Sequence, residues 1–109
     1  MSGEVPADLT FRIRRILEPL CANEGDRDAL LTDAFYAVDR PLFRSIDMSG
    51  KAKAFTVRLT QTLLDYGPLP QGSHSLVRLL EVAALQCEAA SRAECAELVA
   101  AARKQIGRA

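Results

Sequence analysis

The chain has 109 residues and a formal net charge of zero at neutral pH, with 14 basic and 14 acidic side chains. This length suffices for one domain with a single hydrophobic core. A neutral chain creates no global field toward nucleic acid or an anionic membrane, and no apolar run approaches the roughly 20 residues of a membrane span. Leu and Ala are abundant and Trp is absent, which favours an all-helical protein over a sheet protein.

The N-terminal residues 1–7 have neither a basic region nor an apolar segment, so we predict a short flexible lead rather than a signal peptide. The three cysteines, Cys21, Cys87 and Cys95, are odd in number and have no Cys-x-x-Cys spacing. They predict free, partly buried thiols in a reducing compartment. We therefore expect the protein to act in the cytoplasm.

The first half of the chain predicts three helices. The first begins at the candidate cap Asp8 and has an apolar stripe of helical spacing up to residue 20, with Pro19 predicting a kink or an end near residue 18. Asp26 is the expected cap of a second helix over residues 27–38. Pro41 suits the first position of a short third helix over residues 41–46. Ser49 is the expected cap of the next helix.

Residues 52–80 predict a central pair of amphipathic helices joined by a turn. Apolar residues recur at three- and four-residue spacing on both sides of the turn. Gly67 suits the left-handed position that closes a helix, prolines prevent immediate re-entry, and Ser73 is a natural cap for the next helix. The turn is therefore assigned to Gly67, Pro70 and Gly72. The predicted core positions of this pair are Phe55, Leu59, Leu63, Leu76, Leu79 and Leu80.

The last third predicts two more helices. The fifth runs from residue 74 to about residue 87, and Ser91 with Glu94 fits a capping box before the sixth. The sixth would bury Cys95, Leu98 and Val99 and end at Gly107. We expect one all-α domain over residues 8–107, built as a compact bundle of five to six helices.

A search for catalytic or ligand-binding groups finds no convincing constellation. His74 is the single histidine, and its neighbours Ser73 and Ser75 are not normally aimed at it by adjacency alone. The glycine spacing of residues 67–72 lacks the lysine of a phosphate-binding loop and contains two prolines that remove amide donors. The cysteines and His74 lack paired metal-ligand spacing. We predict no enzyme activity, no catalytic residue, no cofactor and no metal site.

The charged residues are more informative than the candidate catalytic groups. Basic residues concentrate in the first helix and around the third and fourth, whereas acids concentrate around the second. A neutral domain with separated patches of opposite charge is suited to association with a copy or a relative of itself, although an ordinary soluble surface also has mixed charge. The predicted partner-binding residues are Arg12, Arg15, Arg44, Lys51, Lys53, Asp26, Asp28, Asp33 and Asp39.

Two other functions remain open. The central pair has the outline of a DNA-binding helix–turn–helix, but its connection is long and its second helix offers only Arg78 as a basic residue. Alternatively, the protein is a helical subunit or inhibitor that docks on one enzyme through an apolar patch, for which Leu69 and Met48 are candidate anchors.

The run from Phe55 to Leu80 resembles the effector-associated domains of bacterial conflict systems. The most specific part is LLDYG-x-LP-x-G-x-HSL-x-x-LL, which starts at Leu63. The resemblance covers residues 52–106, while residues 8–47 match only as amphipathic helices.

The resemblance implies a small helical module similar to death-fold adaptors. Such modules occur alone or fused to caspase-like or trypsin-like proteases, TIR domains and signalling ATPases. The implied function is homotypic coupling, in which a copy on a sensor recruits a copy on an effector. The expected partner is therefore another effector-associated domain, with self-association possible and neither nucleic acid nor a membrane involved. The family has no catalytic residues to transfer.

Overall fold

The computed structural model describes residues 7–106, which form a bundle of six α-helices. Within this range the β pairing is limited to one isolated bridge between Pro68 and His74. The prediction of an all-α bundle of five to six helices is confirmed, whereas its likeness to the death fold stays a prediction. The helices are α1 (Ala7–Leu20), α2 (Glu24–Leu31), α3 (Arg40–Ser45), α4 (Ala52–Tyr66), α5 (Ser75–Gln86) and α6 (Ala89–Gln105).

Helix α5 is the centre of the bundle. It packs against α1, α2, α4 and α6, and also against a π-helical turn, Thr32–Tyr36, that continues α2. Leu76, Leu79 and Ala83 of α5 are fully shielded from solvent. Burial of leucine-sized side chains is worth about 1.5–3 kcal/mol each, so this stripe supplies much of the driving force for folding. The side chains assigned to the core from sequence are all buried: Phe55, Leu59, Leu63, Leu76, Leu79 and Leu80.

Helix α1 starts earlier than the sequence predicts, and it does not stop near residue 18, which was one of the two alternatives for Pro19. It already includes Ala7, so Asp8 lies in the first turn rather than at the cap. The helix continues through Pro19 and ends at Leu20. The predicted flexible lead, residues 1–7, falls outside the described residues except for Ala7.

Helix α2 is capped by Asn23 rather than by Asp26. The Asn23 Oδ1 accepts the backbone N–H of Asp26 at 2.8 Å, and its Nδ2 donates to the Asp26 carboxylate at 3.0 Å. Asn and Asp are equally good helix caps. Asn23 caps this helix, and both polar atoms of its side chain form hydrogen bonds with Asp26. The helix therefore begins before the predicted start at residue 27, and Gly25 lies inside its first turn.

The predicted caps of α4 and α6 are also wrong. Ser49 bonds the Asp47 carboxylate through both its amide and its hydroxyl, so α4 begins after Lys51 without a side-chain cap. Helix α6 begins at Ala89, which places Ser91 within the first turn rather than before the helix. The predicted end at Gly107 lies outside the described residues.

The connection between α4 and α5 contains the turn that the sequence predicts, but α5 is capped by His74 rather than by Ser73. Gly67 and Gly72 have φ angles of 83° and 112°, a region that side-chain-bearing residues rarely adopt. The Leu69 amide donates to the Ser73 carbonyl at 2.7 Å, and the Ser75 amide donates to the Gly67 carbonyl at 3.0 Å. These bonds draw the connection into a compact loop.

The expectation of three free thiols is wrong for Cys87 and Cys95. These two residues form a disulfide that joins the end of α5 to α6, because a connection of only two residues folds the start of α6 back along α5. Cys21 is free and buried, and burial raises its pKa to about 11 despite the opposing charge of Arg27. Disulfides persist mainly in oxidising compartments, so the cysteines no longer support the predicted cytoplasmic location.

None of the helices in residues 7–106 is both long enough and apolar enough to cross a membrane.

Candidate functional site: a basic-rimmed groove and the charged faces

One surface of the described chain is a groove between α1 and α4, which we call the α1–α4 groove. Its volume is about 290 Å³. On α1 the groove-lining residues recur at helical spacing, and on α4 Lys53 and Val57 stand one turn apart, so each helix contributes one continuous strip. The lining residues are Phe11, Arg14, Arg15, Glu18, Lys53, Thr56 and Val57.

The lining of the groove combines exposed apolar side chains with basic ones. Phe11 is 54% exposed and Val57 is 41% exposed, although residues of these types are usually more deeply buried. The Arg15 guanidinium carbon lies 6.0 Å from the centroid of the Phe11 ring. Among the described residues, Arg14, Arg15 and Lys53 form no ion pair, and Glu18 is the single acid of the lining. The groove is therefore suited to bind an apolar side chain of a partner when acidic residues flank that side chain.

The structure brings together only part of the predicted basic set. Arg15 and Lys53 lie in the α1–α4 groove. Arg12 is directed toward α6, where it pairs with Glu97 at 3.8 Å. Arg44 and Lys51 are exposed but do not line the groove. Arg12 and Arg15 therefore face different neighbours, because successive residues of a helix point in different directions.

The predicted acidic set also divides. Asp26 and Asp28 are exposed on α2. Asp33 is exposed on the π-helical turn, and its carboxylate accepts the Gln86 side-chain amide at 3.2 Å, which ties this turn to the end of α5. These three residues remain available to a partner.

The prediction that Asp39 binds a partner is corrected, because this residue is only 5% exposed and its carboxylate forms hydrogen bonds within the fold. Its Oδ1 accepts the Leu42 amide at 3.2 Å and caps α3, while its Oδ2 accepts the Tyr66 hydroxyl at 2.5 Å. This hydrogen bond raises the pKa of Tyr66. An Asp immediately before Arg40-Pro41 is in the right place for a helix cap, and the tertiary contact with α4 completes its burial.

Sequence reasoning missed the two most exposed large hydrophobic side chains of the described range. Leu85 is 82% exposed near the end of α5, and Phe11 is 54% exposed on α1. Both fall off the buried stripe of their helix, so the helical pattern could have revealed them. The sequence instead predicts Leu69 and Met48 as anchors for apolar docking. Leu69 is buried at 3% exposure, and Met48 is half-buried while its carbonyl accepts from Arg27 at 2.6 Å.

Helix α5 does not present the surface expected of a DNA-recognition helix. Its residues Ser75, Leu76 and Val77 are buried against the bundle. Arg78 donates to the carbonyls of Ala34 at 3.0 Å and Asp33 at 3.4 Å, so its donors serve the packing of α5 on the π-helical turn. A recognition helix instead projects its first residues toward base edges.

The polar residues at the start of α5 each form a hydrogen bond with a different partner. The Ser75 hydroxyl donates to the Leu63 carbonyl at 2.9 Å, and the Ser73 hydroxyl accepts from Gln71 at 3.0 Å. The His74 Nδ1 accepts the Leu76 amide at 3.1 Å and caps the helix, a position that we had assigned to Ser73. No serine of this set contacts the imidazole. Among residues 7–106, no three His, Cys, Asp or Glu side chains are grouped to hold a metal ion.

The His74 cap makes stability depend on pH. Burial lowers the pKa of His74 below its ordinary value of 6.5, because it penalises the charged form of the ring. Only the neutral ring can accept the Leu76 amide at Nδ1. Below pH 6.5 the unfolded chain takes up this proton more readily. The contribution of His74 to the free energy of unfolding is therefore fully present above pH 6.5. It decreases as the pH falls toward the lower pKa of the folded state. Urea unfolding across this range should show the fall.

The matched variant is His74→Asn, which keeps a good cap but does not titrate. It should lack this part of the pH dependence. The same pH dependence in both proteins would contradict the assignment.

The fold and the groove can be compared with known proteins. No curated protein and no solved structure matches the chain. The sequence model of effector-associated domain 8 matches residues 7–102, which includes the α1–α4 groove and the whole of α5. The match therefore extends well beyond the central stretch on which the resemblance was recognised. On this evidence, the chain belongs to the effector-associated domain 8 family.

Proposed function

We propose that this domain is a non-catalytic adaptor that couples a sensor to an effector by homotypic association in bacterial conflict signalling. Family membership supports an association with effectors. The observation that carries the homotypic part is the presence of two complementary surfaces on one chain. Arg14, Arg15 and Lys53 border an open groove, and exposed acids stand on other elements, among them Asp26 and Asp28 of α2.

The physics of exposed charges determines how such an adaptor behaves. Each exposed ion pair contributes about 0–1 kcal/mol, so a single contact is weak and salt weakens it further. Several copies clustered on a sensor raise the effective concentration and convert weak contacts into firm recruitment. The proposed partner is an effector-associated domain fused to a protease, TIR or ATPase effector, or carried by a sensor.

A pull-down from the lysate of the source organism tests this function, with the tagged domain as bait at low and at high salt. We expect recovery of a protein that has an effector-associated domain fused to one of these effectors, and loss of that protein at high salt. The double variant Arg15→Glu/Lys53→Glu is the matched bait and should recover much less of it.

The other outcomes identify the rival functions. Salt-dependent recovery of nucleic acid without any such protein would indicate a DNA-binding regulator. Salt-insensitive recovery of one enzyme that lacks an effector-associated domain would indicate a subunit or an inhibitor. Either outcome would refute homotypic coupling.

A further inference from the structure

The Cys87–Cys95 disulfide is the main attachment of the first two turns of α6. Cys87 directly follows the last residue of α5, and Cys95 lies at the end of the second turn of α6. Residues 89–94, which precede it in the helix, have no buried side chain: Ser91 and Glu94 are half-buried and the others are exposed. Helices in proteins are stabilised mainly by the packing of an apolar face. This segment lacks such a face.

The hydrogen bonds at this end of α6 are local. Glu88 is the cap residue, but no side chain caps the helix. The Ser91 amide donates to the Glu88 carbonyl at 2.9 Å, and the Arg92 side chain donates to the Cys87 carbonyl at 3.5 Å. Among the described residues, no ion pair connects residues 88–94 to another helix. These bonds therefore do not replace the disulfide as an attachment to the bundle.

The second half of α6 has anchors that do not involve the sulfur atoms. Leu98, Val99 and Ala102 are buried in the core. Arg103 forms an ion pair with Glu81 of α5. Opening the disulfide would therefore free the start of α6 while the remainder of the helix stays packed on α5.

A cavity beside the disulfide gives a thiol reagent access to it. The cavity lies between α1 and the joint of α5 with α6, has a volume of about 380 Å³ and includes Cys87 in its lining. Cys87 is 7% exposed and Cys95 is 2% exposed. Since thiol exchange depends on access to the sulfur that is attacked, Cys87 is the expected point of attack.

We propose that the Cys87–Cys95 bond is a redox switch that controls whether residues 89–94 are folded. A thiolate of a small dithiol attacks the Cys87 sulfur and displaces the Cys95 thiolate, giving a mixed disulfide. The second thiol of the reagent then displaces the Cys87 thiolate and closes the reagent's own disulfide. Two electrons and two protons pass to the protein, which gains two thiols. The disulfide form of the reagent reverses the exchange.

Release of residues 89–94 changes the surface beside α1. Ser91 and Glu94 line the cavity together with Ile16 and Leu20 of α1, which are half-buried. Ile16 and Leu20 stand one turn apart and form an apolar strip. The oxidised domain partly covers this strip, and the reduced domain exposes it.

The test compares the oxidised domain with the same domain in dithiothreitol by amide hydrogen exchange, followed residue by residue with NMR. The amides of residues 93–97 donate to the carbonyls of residues 89–93 in the helix, so they report on the released segment. We expect reduction to accelerate their exchange at least about tenfold and to change that of residues 101–104 by less than about twofold. Binding of the hydrophobic dye anilinonaphthalene sulfonate should increase as the α1 strip is exposed.

Two variants serve as controls. Cys87→Ala/Cys95→Ala cannot form the bond and should exchange like the reduced wild type under both conditions. Cys21→Ala removes the free thiol but retains the disulfide, so it should keep the wild-type redox response. Alkylation followed by mass spectrometry should detect one thiol in the oxidised wild type and three in the reduced form.

Three results would overturn the switch. The first is three alkylated thiols in a domain treated with oxidised dithiothreitol, since the bond would then not form. The second is exchange at residues 93–97 that reduction leaves unchanged. The third is an equal acceleration in all helices, which would make the bond a support of the whole fold. These measurements involve no partner, so a negative result leaves the adaptor function standing, and a failed pull-down leaves the switch standing.

Discussion

Replacing Arg27 with methionine is expected to lower the free energy of unfolding by about 3 kcal/mol. Arg27 is 2% exposed, although arginine is rarely buried without partners. Its Nε donates to the Cys21 carbonyl at 2.8 Å, and its NH1 donates to the Met48 carbonyl at 2.6 Å. The guanidinium carbon also lies 4.6 Å from the centroid of the Phe55 ring. One side chain thereby joins the end of α1, the start of α2, the α3–α4 connection and α4.

The large effect follows from what the substitution leaves behind. Methionine keeps much of the volume but leaves two carbonyls without their donor, and each buried unsatisfied group costs about 1–3 kcal/mol. The cation–π contact with Phe55 is lost as well, which adds about 0.5–2 kcal/mol at a desolvated site. The measurement is urea or thermal unfolding followed by circular dichroism. Arg27→Lys should recover only part of the loss, because lysine lacks the planar fork that reaches two acceptors.

Arg58→Met is the matched control for Arg27→Met. Arg58 is exposed, donates to the carbonyls of Asp47 and Ser49, and lies 5.9 Å from the same Phe55 ring. Because water replaces its hydrogen bonds, we expect a loss below about 1 kcal/mol. Equal losses at the two positions would mean that Arg27 does not act as a buried connector.

Reversing both charges in the Arg15→Glu/Lys53→Glu variant is expected to weaken the proposed homotypic binding roughly 10- to 100-fold at low salt. The two residues line one groove and are not paired within the described protein, so reversal replaces attraction with repulsion at one contact. The fold should be unaffected because both side chains are exposed. The measurement is the dissociation constant for an immobilised copy over a salt series. The difference from wild type should shrink as salt rises.

The control variant is Arg44→Glu/Lys51→Glu, which changes net charge by the same amount at exposed positions outside the groove. From sequence, Arg44 and Arg15 are equal candidates for partner binding. The structure now predicts a much smaller effect at Arg44 and Lys51. Equal weakening by both double variants would show that overall charge, rather than the α1–α4 groove, controls association.

The end of α4 was predicted correctly and several helix caps were not, for different physical reasons. Helix α4 ends at Tyr66 as predicted, because its apolar period is continuous and Gly67 ends it sharply. The caps failed where several competent residues are close together. Asn23 took the position expected for Asp26, and His74 took that of Ser73. At α2 both polar atoms of the Asn23 side chain bond Asp26, and at α5 the His74 Nδ1 accepts the Leu76 amide.

The sequence by itself determined the helical class, the buried stripe of the central pair and the positive-φ turn at Gly67, because these depend on neighbours three or four residues apart. Only the tertiary structure placed Arg15 beside Lys53, buried Arg27 and Asp39, and joined Cys87 to Cys95. Helical periodicity specifies which way a side chain points from its own axis. It does not specify which distant helix stands opposite, and that neighbour decides whether a charge is a surface contact or part of the core.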